Sequence, residues 1–296
     1  RAQPRLSSDS KEVSRMSMIN LAVDSAVAIA ERRRNKPGRA IYSGRSRVAL
    51  ERNFMAFRSS NWIIVLSGFV EPLFYLLAFG FGIGKLIGGV TDGAGHPVSY
   101  AAFIAPALLA TSAMNGAIYD STWNVFFKMH FAKLYETMLA TSLGPLDVAI
   151  GEIGWALLRG LIYAIGFMAV MAPLGLIPSW WALLAIPGAV LIAFGFASFG
   201  MAITSYLKTF HQMNWINFFM LPMFLFSGTF YPLSIYPQWI QAIIQAMPLW
   251  HAIQLERSFM LGNVSWDLFG HVIYFLVMIV LGLIFTTRRL TALFMK

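Results

Sequence analysis

Apolar residues in this chain gather into long stretches at roughly 62–84, 101–126, 148–174, 182–206, 214–231 and 268–287, separated by more polar connections. Blocks of about 20 apolar residues match the length of helix that crosses ~30 Å of hydrocarbon at 1.5 Å per residue. The runs are continuously apolar and lack the alternation over ten-residue segments that a barrel strand needs. The pattern therefore predicts an all-α membrane protein with six transmembrane helices. Some spans are irregular: 101–126 holds Asn115, Asp120, Ser121 and Asn124, and 214–231 is short and interrupted by Pro222. The run 62–84 carries Glu71 beside Pro72 near its midpoint.

The connections are patterned as well. In 43–60, SGRSRVALERNFMAFRSS, the residues Leu50, Phe54 and Phe57 recur at i, i+4 and i+7, while Arg47, Glu51 and Arg58 share another face. Such a helix belongs at the inner membrane surface, either as a basic lipid-facing anchor or as a docking helix for a cytoplasmic partner. The stretch FKMHFAKLYETMLATSLGPLDVAIGE, ending at Glu152, is too polar to cross the membrane. It holds a helical segment to about Thr141, closed by the turn residues Gly144 and Pro145. That segment is either a short helix able to transmit a push from a soluble partner or a capped hairpin joining two spans. In 232–267 the apolar run is broken by Gln238, Gln241, Gln245, His251, Gln254, Glu256 and Arg257, and by Pro232, Pro237 and Pro248. Two short helices at about 238–247 and 249–261 fit this pattern, as a re-entrant hairpin whose irregular backbone is satisfied by protein or a water cavity. Trp239, Trp250 and Trp266 suit an interfacial belt.

Composition agrees with the membrane reading, and charge adds an orientation. Of 296 residues, 58% are hydrophobic and 12% charged, about half the charged share of a soluble domain. Thirteen of the 22 Lys and Arg precede residue 61, among them Arg32, Arg33 and Arg34, and Arg288, Arg289 and Lys296 follow the last span. By the positive-inside rule both termini and the connections 127–147 and 207–213 are expected in the cytoplasm, with 85–100, 175–181 and 232–267 outside. The tally is then 19 basic residues inside, 2 outside, and Arg159 within a span. The net charge of +9 follows from topology and attraction to anionic membrane lipids, and without a basic aromatic groove it gives no case for nucleic acid. Residues 1–42 are expected to form a mobile cytoplasmic tail; the apolar part of 18–34 is short, contains Asp24 and precedes its arginine cluster, unlike a signal peptide. The absence of Cys excludes disulfides, thiolate metal sites and a thiol nucleophile.

Charged groups inside spans cost ~2.5–3.5 kcal/mol on insertion scales and usually face a bundle interior or a cavity. Glu71 lies about ten residues up span one and Arg159 about eleven up span three, so at 1.5 Å per residue both sit roughly 15–17 Å deep. They are depth-matched candidates for an ion pair; Glu71 could instead be a polar element of a translocation path, or part of a proton relay. Asp120 and Glu152 sit nearer the inner surface, where snorkelling lowers their cost. The histidines 96, 130, 211, 251 and 271 are scattered without a ligand spacing, so no metal site is expected. Gly80, Gly82 and Gly84 end a span rather than follow a strand and suit helix packing. Met220, Met223 and Phe224 around Pro222 either line an apolar path or pack. A catalytic Ser/His/Asp set cannot be assembled from spacing. A secondary transporter working without an ATPase is the alternative class, which would show inverted repeats with broken helices near the midplane.

Three segments carry a family resemblance: EPLFYLLAFGFGIG, YETMLATSLGPLDVAIGE and LPMFLFSGTFYPLSIYPQWIQAIIQAMPLWHAIQLER. From about residue 45 onward the chain resembles the membrane subunits of type 2 ABC transporters, in particular permeases that export nodulation lipo-oligosaccharides, with polysaccharide and daunorubicin-type drug exporters as relatives. The resemblance implies a permease domain over 61–296, with 43–60 as an interface helix and 127–143 as a coupling helix. It also implies an extracellular re-entrant hairpin marked by Pro232, Trp239, Pro248, His251 and Arg257. Tyr135 and Glu136 match the family's YE pair and, with Lys133, Phe54 and Arg58, are the implied contacts with ABC ATPase subunits. Glu71, Arg159, Asp120 and Glu152 are then an intramembrane polar pair or path. The chain has no G-x-x-x-x-G-K-[ST] loop, so ATP and Mg are expected on separate subunits, with no cofactor or enzyme activity in this chain. Two permeases, copies or paralogues, would enclose the path. ATP-driven closure would rock them to export a lipid-linked or oligosaccharide-type amphiphile, or a drug, across the cytoplasmic membrane.

Overall fold

Where the structure describes them, the apolar blocks fold into helices. The computed structural model describes residues 41–58, 70, 72–87, 89–91 and 97–295; all of these but Ile41 belong to one compact unit. The first span ahead of Pro72, apart from Val70, lies outside the described residues, as do Glu71 and the tail expected over 1–42 up to residue 40. The helices are α1 (Ser46–Arg58), α2 (Pro72–Ile87), α3 (Tyr100–His130), α4 (Leu134–Leu139), α5 (Pro145–Met171), α6 (Trp180–Tyr206), α7 (Asn214–Phe226), α8 (Gln238–Ala246), α9 (Pro248–Leu261) and α10 (Asp267–Phe294).

Among the described residues, α3, α5, α6 and α10 are long and apolar enough to cross a membrane. Of the six spans expected, α2 and α7 are shorter; α7 stops at Phe226, where the Thr229 hydroxyl donates back to the Phe224 carbonyl at 2.8 Å and closes the helix end. One element departs from the all-α expectation. Strands β1 (Gly89–Thr91) and β2 (Pro97–Ser99) pair antiparallel with Val90 opposite Val98, and these β-branched side chains press one side of the ribbon onto the core.

Local chemistry sets the helix ends. Ser99 caps α3 by accepting the Ala102 N–H at 3.2 Å, and Pro145 and Pro248 open α5 and α9 in the first turn, where a missing N–H costs no helical bond. The connection after α3 turns at Lys133, whose backbone is left-handed at φ 48°. At the centre, α6 packs along α10, α5 and α3. It does so through a buried face of small residues, Gly188, Ala189, Ala193, Ala197 and Ser198, which let neighbouring backbones approach closely. The helix α9 lies on α3 and on the first turn of α6, and α1 lies along the start of α5.

Candidate functional site

The α3–α5 contact buries a charged cluster. On α5, Arg159 donates from Nη1 to Asp120 Oδ1 at 2.6 Å and from Nε to the Tyr163 hydroxyl at 2.8 Å. On α3, Asn124 donates to the same carboxylate oxygen at 2.8 Å. The Tyr119 and Tyr163 rings flank the guanidinium with centroids 5.8 and 5.6 Å away. Spacing of i, i+4 on both helices, Asp120 with Asn124 and Arg159 with Tyr163, places these groups on facing stripes. Asp120 also opens a π-helical turn, Asp120–Asn124, an irregularity that recurs at functional sites. Depth alone had matched Arg159 with Glu71; the guanidinium is engaged by Asp120, and Glu71 lies outside the described residues.

A second cluster joins α1, the end of α3, α4 and the start of α5. Lys128 binds Glu152 at 2.5 Å and the Asn53 amide oxygen at 3.1 Å. Asp147 accepts backbone N–H bonds from Ser43, Arg45 and Gly144. Tyr135 is fully buried; burial pushes its phenol well above the usual tyrosine range, nearby Glu152 adds to that, and Arg52 opposes it. Of the positions assigned to ATPase contact, Lys133 and Glu136 on α4 and Phe54 on α1 are exposed, while Tyr135 points inward and anchors α4. The Arg58 side chain lies outside the described residues.

Between α2, α3 and α7 lies a cavity of about 660 Å³. Its walls are apolar and aromatic, including Tyr75, Phe79, Met220 and Phe224, with Thr111, Asn115 and Asn217 as neutral polar groups and Tyr100, Tyr231 and Tyr236 adding hydroxyl-bearing rings. Beside it, α2 and α7 expose Phe74, Leu77, Phe81, Trp215, Phe218 and Phe219.

The pair α8–α9 takes the helical form expected of 238–247 and 249–261. Pro232 precedes a short turn of helix, Pro248 starts α9, and Trp239 on α8 is exposed. Arg257 is buried over the Phe103 ring, 3.9 Å from its centroid, and donates to the Gly228 carbonyl at 3.1 Å. Beside it Glu256 is fully buried, and burial raises its carboxyl well above the usual range. His251 meets His271 of α10 with their Nδ1 atoms 2.7 Å apart, and Tyr274 stacks on His251 at 4.0 Å. Burial, then His271, lowers the His251 pKa to about 4.

Sequence reasoning missed Asp147, Asn53, His271 and Glu256 as members of these clusters. Asp147 carried a signal, an acid in the first turn of a helix opened by Gly144 and Pro145. The histidines carried none, since pairing across helices leaves no spacing motif.

Comparison with known proteins adds a family. The profile of the ABC-2 type transporter family matches residues 46–261. The chain is similar to Nodulation protein J of Rhizobium leguminosarum bv. trifolii, 32% identical over 245 residues that cover 81% of this chain and 91% of that protein. It is likewise similar to Nodulation protein J of Sinorhizobium fredii, 33% identical over 214 residues, 72% of this chain and 79% of the relative. A third relative is the inner membrane transport permease YadH of Escherichia coli, 28% identical over 192 residues, 64% of this chain and 72% of that protein.

Proposed function

The chain belongs to the ABC-2 type transporter family and is a multi-pass membrane protein, and from that premise we propose that it is the permease subunit of an ATP-driven exporter in the cytoplasmic membrane. The observation that carries this reading is the cavity between α2, α3 and α7. Its apolar walls suit the hydrocarbon of an amphiphile, and Thr111, Asn115 and Asn217 offer neutral hydrogen-bonding groups to the polar part. Ring faces of Tyr100, Tyr231 and Tyr236 suit a sugar. The substrate is a lipid-linked or oligosaccharide-type amphiphile, the class to which the apolar and aromatic lining is suited.

The apolar side chains that α2 and α7 expose beside the cavity receive a second permease, copy or paralogue, which closes the path. Power comes from separate ATPase subunits that hold ATP and Mg and press on α1 and α4 through Phe54, Lys133 and Glu136. The interior charges Asp120, Arg159 and Glu152 hold the helices in register during that movement.

The test is reconstitution of the permease with an ABC ATPase subunit, following ATP-dependent movement of a fluorescent glycolipid out of proteoliposomes. Replacing Asn115 and Asn217 together with Leu is expected to weaken glycolipid stimulation of ATP hydrolysis while basal hydrolysis persists. Transport that runs on a proton gradient with no ATPase subunit present would overturn the proposal and move the chain to the secondary-transporter class.

A further inference from the structure

We propose that Asp147 is a positioning residue that fuses α1, the α4–α5 turn and the start of α5 into one rigid lever. What drives the lever rests on the exporter reading above; its rigidity does not. The Asp147 side chain is fully buried, and among the described residues it accepts three bonds from backbone N–H groups. Oδ2 accepts the N–H of Ser43 at 2.6 Å and of Gly144 at 3.0 Å, and Oδ1 accepts the N–H of Arg45 at 2.7 Å. One carboxylate thus binds the chain entering α1 and the turn entering α5, segments about a hundred residues apart in sequence.

The entering chain is shaped for this. Gly44, between the two donors, has φ +72°, a left-handed backbone that brings the Ser43 and Arg45 N–H groups onto the same carboxylate. The Arg45 guanidinium reaches on to the Ser142 hydroxyl in the α4–α5 turn. Past the clamp, α1 runs so close to α5 that a Cβ placed on Gly151 would collide with the Ala49 methyl and stand 3.0 Å from the Ser46 carbonyl oxygen. Further along, Asn53 of α1 shares Lys128 with Glu152 of α5. The helix is therefore held at its entrance by Asp147 and along its length by the Gly151 contact and the Lys128 staple. Sliding α1 along α5 would break these bonds and leave a buried carboxylate without its donors. A push received by α1 or α4 is delivered to α5 as a single displacement.

The absence of Cys allows spin labels to be placed without background. Labels at Met55→Cys on α1 and Ile165→Cys on α5, both exposed positions, report the separation of the two helices by pulsed dipolar spectroscopy. The full complex with its ATPase is measured nucleotide-free and trapped with ATP analogue. The expected result is one narrow distance distribution, the same in both states, broadened by Asp147→Ala in the permease with or without the ATPase. Asp147→Ala is expected to retain ATP hydrolysis and lose transport, with Asp147→Asn, which keeps an acceptor oxygen, restoring part of it. A shift in the unmodified pair on trapping ATP, or an unchanged distribution in Asp147→Ala, overturns the lever. Loss of the exporter reading would show separately, as failure of any ATPase to bind the permease, and leaves the distance measurement able to judge the clamp alone.

Discussion

Breaking the Asp120–Arg159 pair singly should be far more damaging than removing it whole. Both side chains are buried, 3% and 8% exposed, and bound at 2.6 Å. Orphaning one member of such a pair costs about 3–5 kcal/mol, whereas replacing both with apolar residues is often neutral or better. Arg159→Leu leaves Asp120 with the Asn124 amide at 2.8 Å, which places it near ~3 kcal/mol. Asp120→Leu takes from the buried guanidinium its carboxylate partner at 2.6 Å, and falls in the same range. The double variant should stand within ~1 kcal/mol of the parent, so the double-mutant cycle carries an interaction energy of several kcal/mol. The assay is reversible unfolding of the purified protein in mixed micelles by titration with SDS, read by tryptophan fluorescence. A deficit of ~3 kcal/mol is a change of roughly 150-fold in the unfolding equilibrium, well inside what the titration resolves. Additive single variants, or singles that each cost under ~1 kcal/mol, would refute the reasoning, because the two charges would then be settled independently by their other neighbours.

Other outcomes follow from named contacts. The Tyr135 hydroxyl is buried without a hydrogen-bond partner among the described residues, so Tyr135→Phe should be neutral or slightly stabilising in the same titration, while Tyr135→Ala should cost ~3–5 kcal/mol through lost packing. Gly44→Ala meets open space but a left-handed φ of +72°, so it should cost about 1–2 kcal/mol from backbone strain alone. The lowered pKa of His251, about 4, means the folded protein prefers the neutral ring. Its contribution to the α9–α10 contact is fully present above the ordinary histidine pKa of about 6.5 and is lost as pH falls from there toward 4. Protection of α8 and α9 amides against hydrogen exchange, measured relative to the intrinsic exchange rate at each pH, should fall over that window, and His251→Gln should flatten the dependence.

What could be read from sequence was whatever depends on neighbours along the chain. The short helices α8 and α9 were legible because Pro237 and Pro248 suit a helix start better than a helix interior and the glutamines interrupt the apolar run. The end of α4 and start of α5 were legible from Gly144 and Pro145. Partner choice between helices was less so. Depth along a span gives one coordinate of an intramembrane charge and leaves its azimuth free, so depth alone did not bring out the Asp120–Arg159 contact, and the depth match of Arg159 with Glu71 lies outside the described residues. The i, i+4 pairs Asp120 with Asn124 and Arg159 with Tyr163 did hold the missing azimuth, since both define a polar stripe on an otherwise apolar helix. The ribbon of β1 and β2 escaped because strands of three residues leave too little alternation to count. The direction of Tyr135 escaped because a six-residue helix fixes no face from sequence.

The division of labour among polar groups bears on what the cavity can hold. Among the described residues, the charges buried in the fold are engaged at helix contacts: Asp120 with Arg159, Glu152 with Lys128, Asp147 with backbone N–H groups, and Arg257 with an aromatic face and carbonyls. Glu256, which has no hydrogen-bond partner there, is pushed by burial toward its neutral form. The described residues lining the cavity, by contrast, include no Asp, Glu, Lys or Arg; their polar groups are amides and hydroxyls. A charged substrate group entering such a space would shed water and meet no counter-ion among the described lining residues, a cost of several kcal/mol. An uncharged sugar would exchange its water hydrogen bonds for those of Asn115, Asn217 and Thr111 at far smaller cost. Under the exporter reading, this favours an amphiphile with a neutral polar part, and an anionic analogue of the same hydrocarbon should stimulate ATP hydrolysis less.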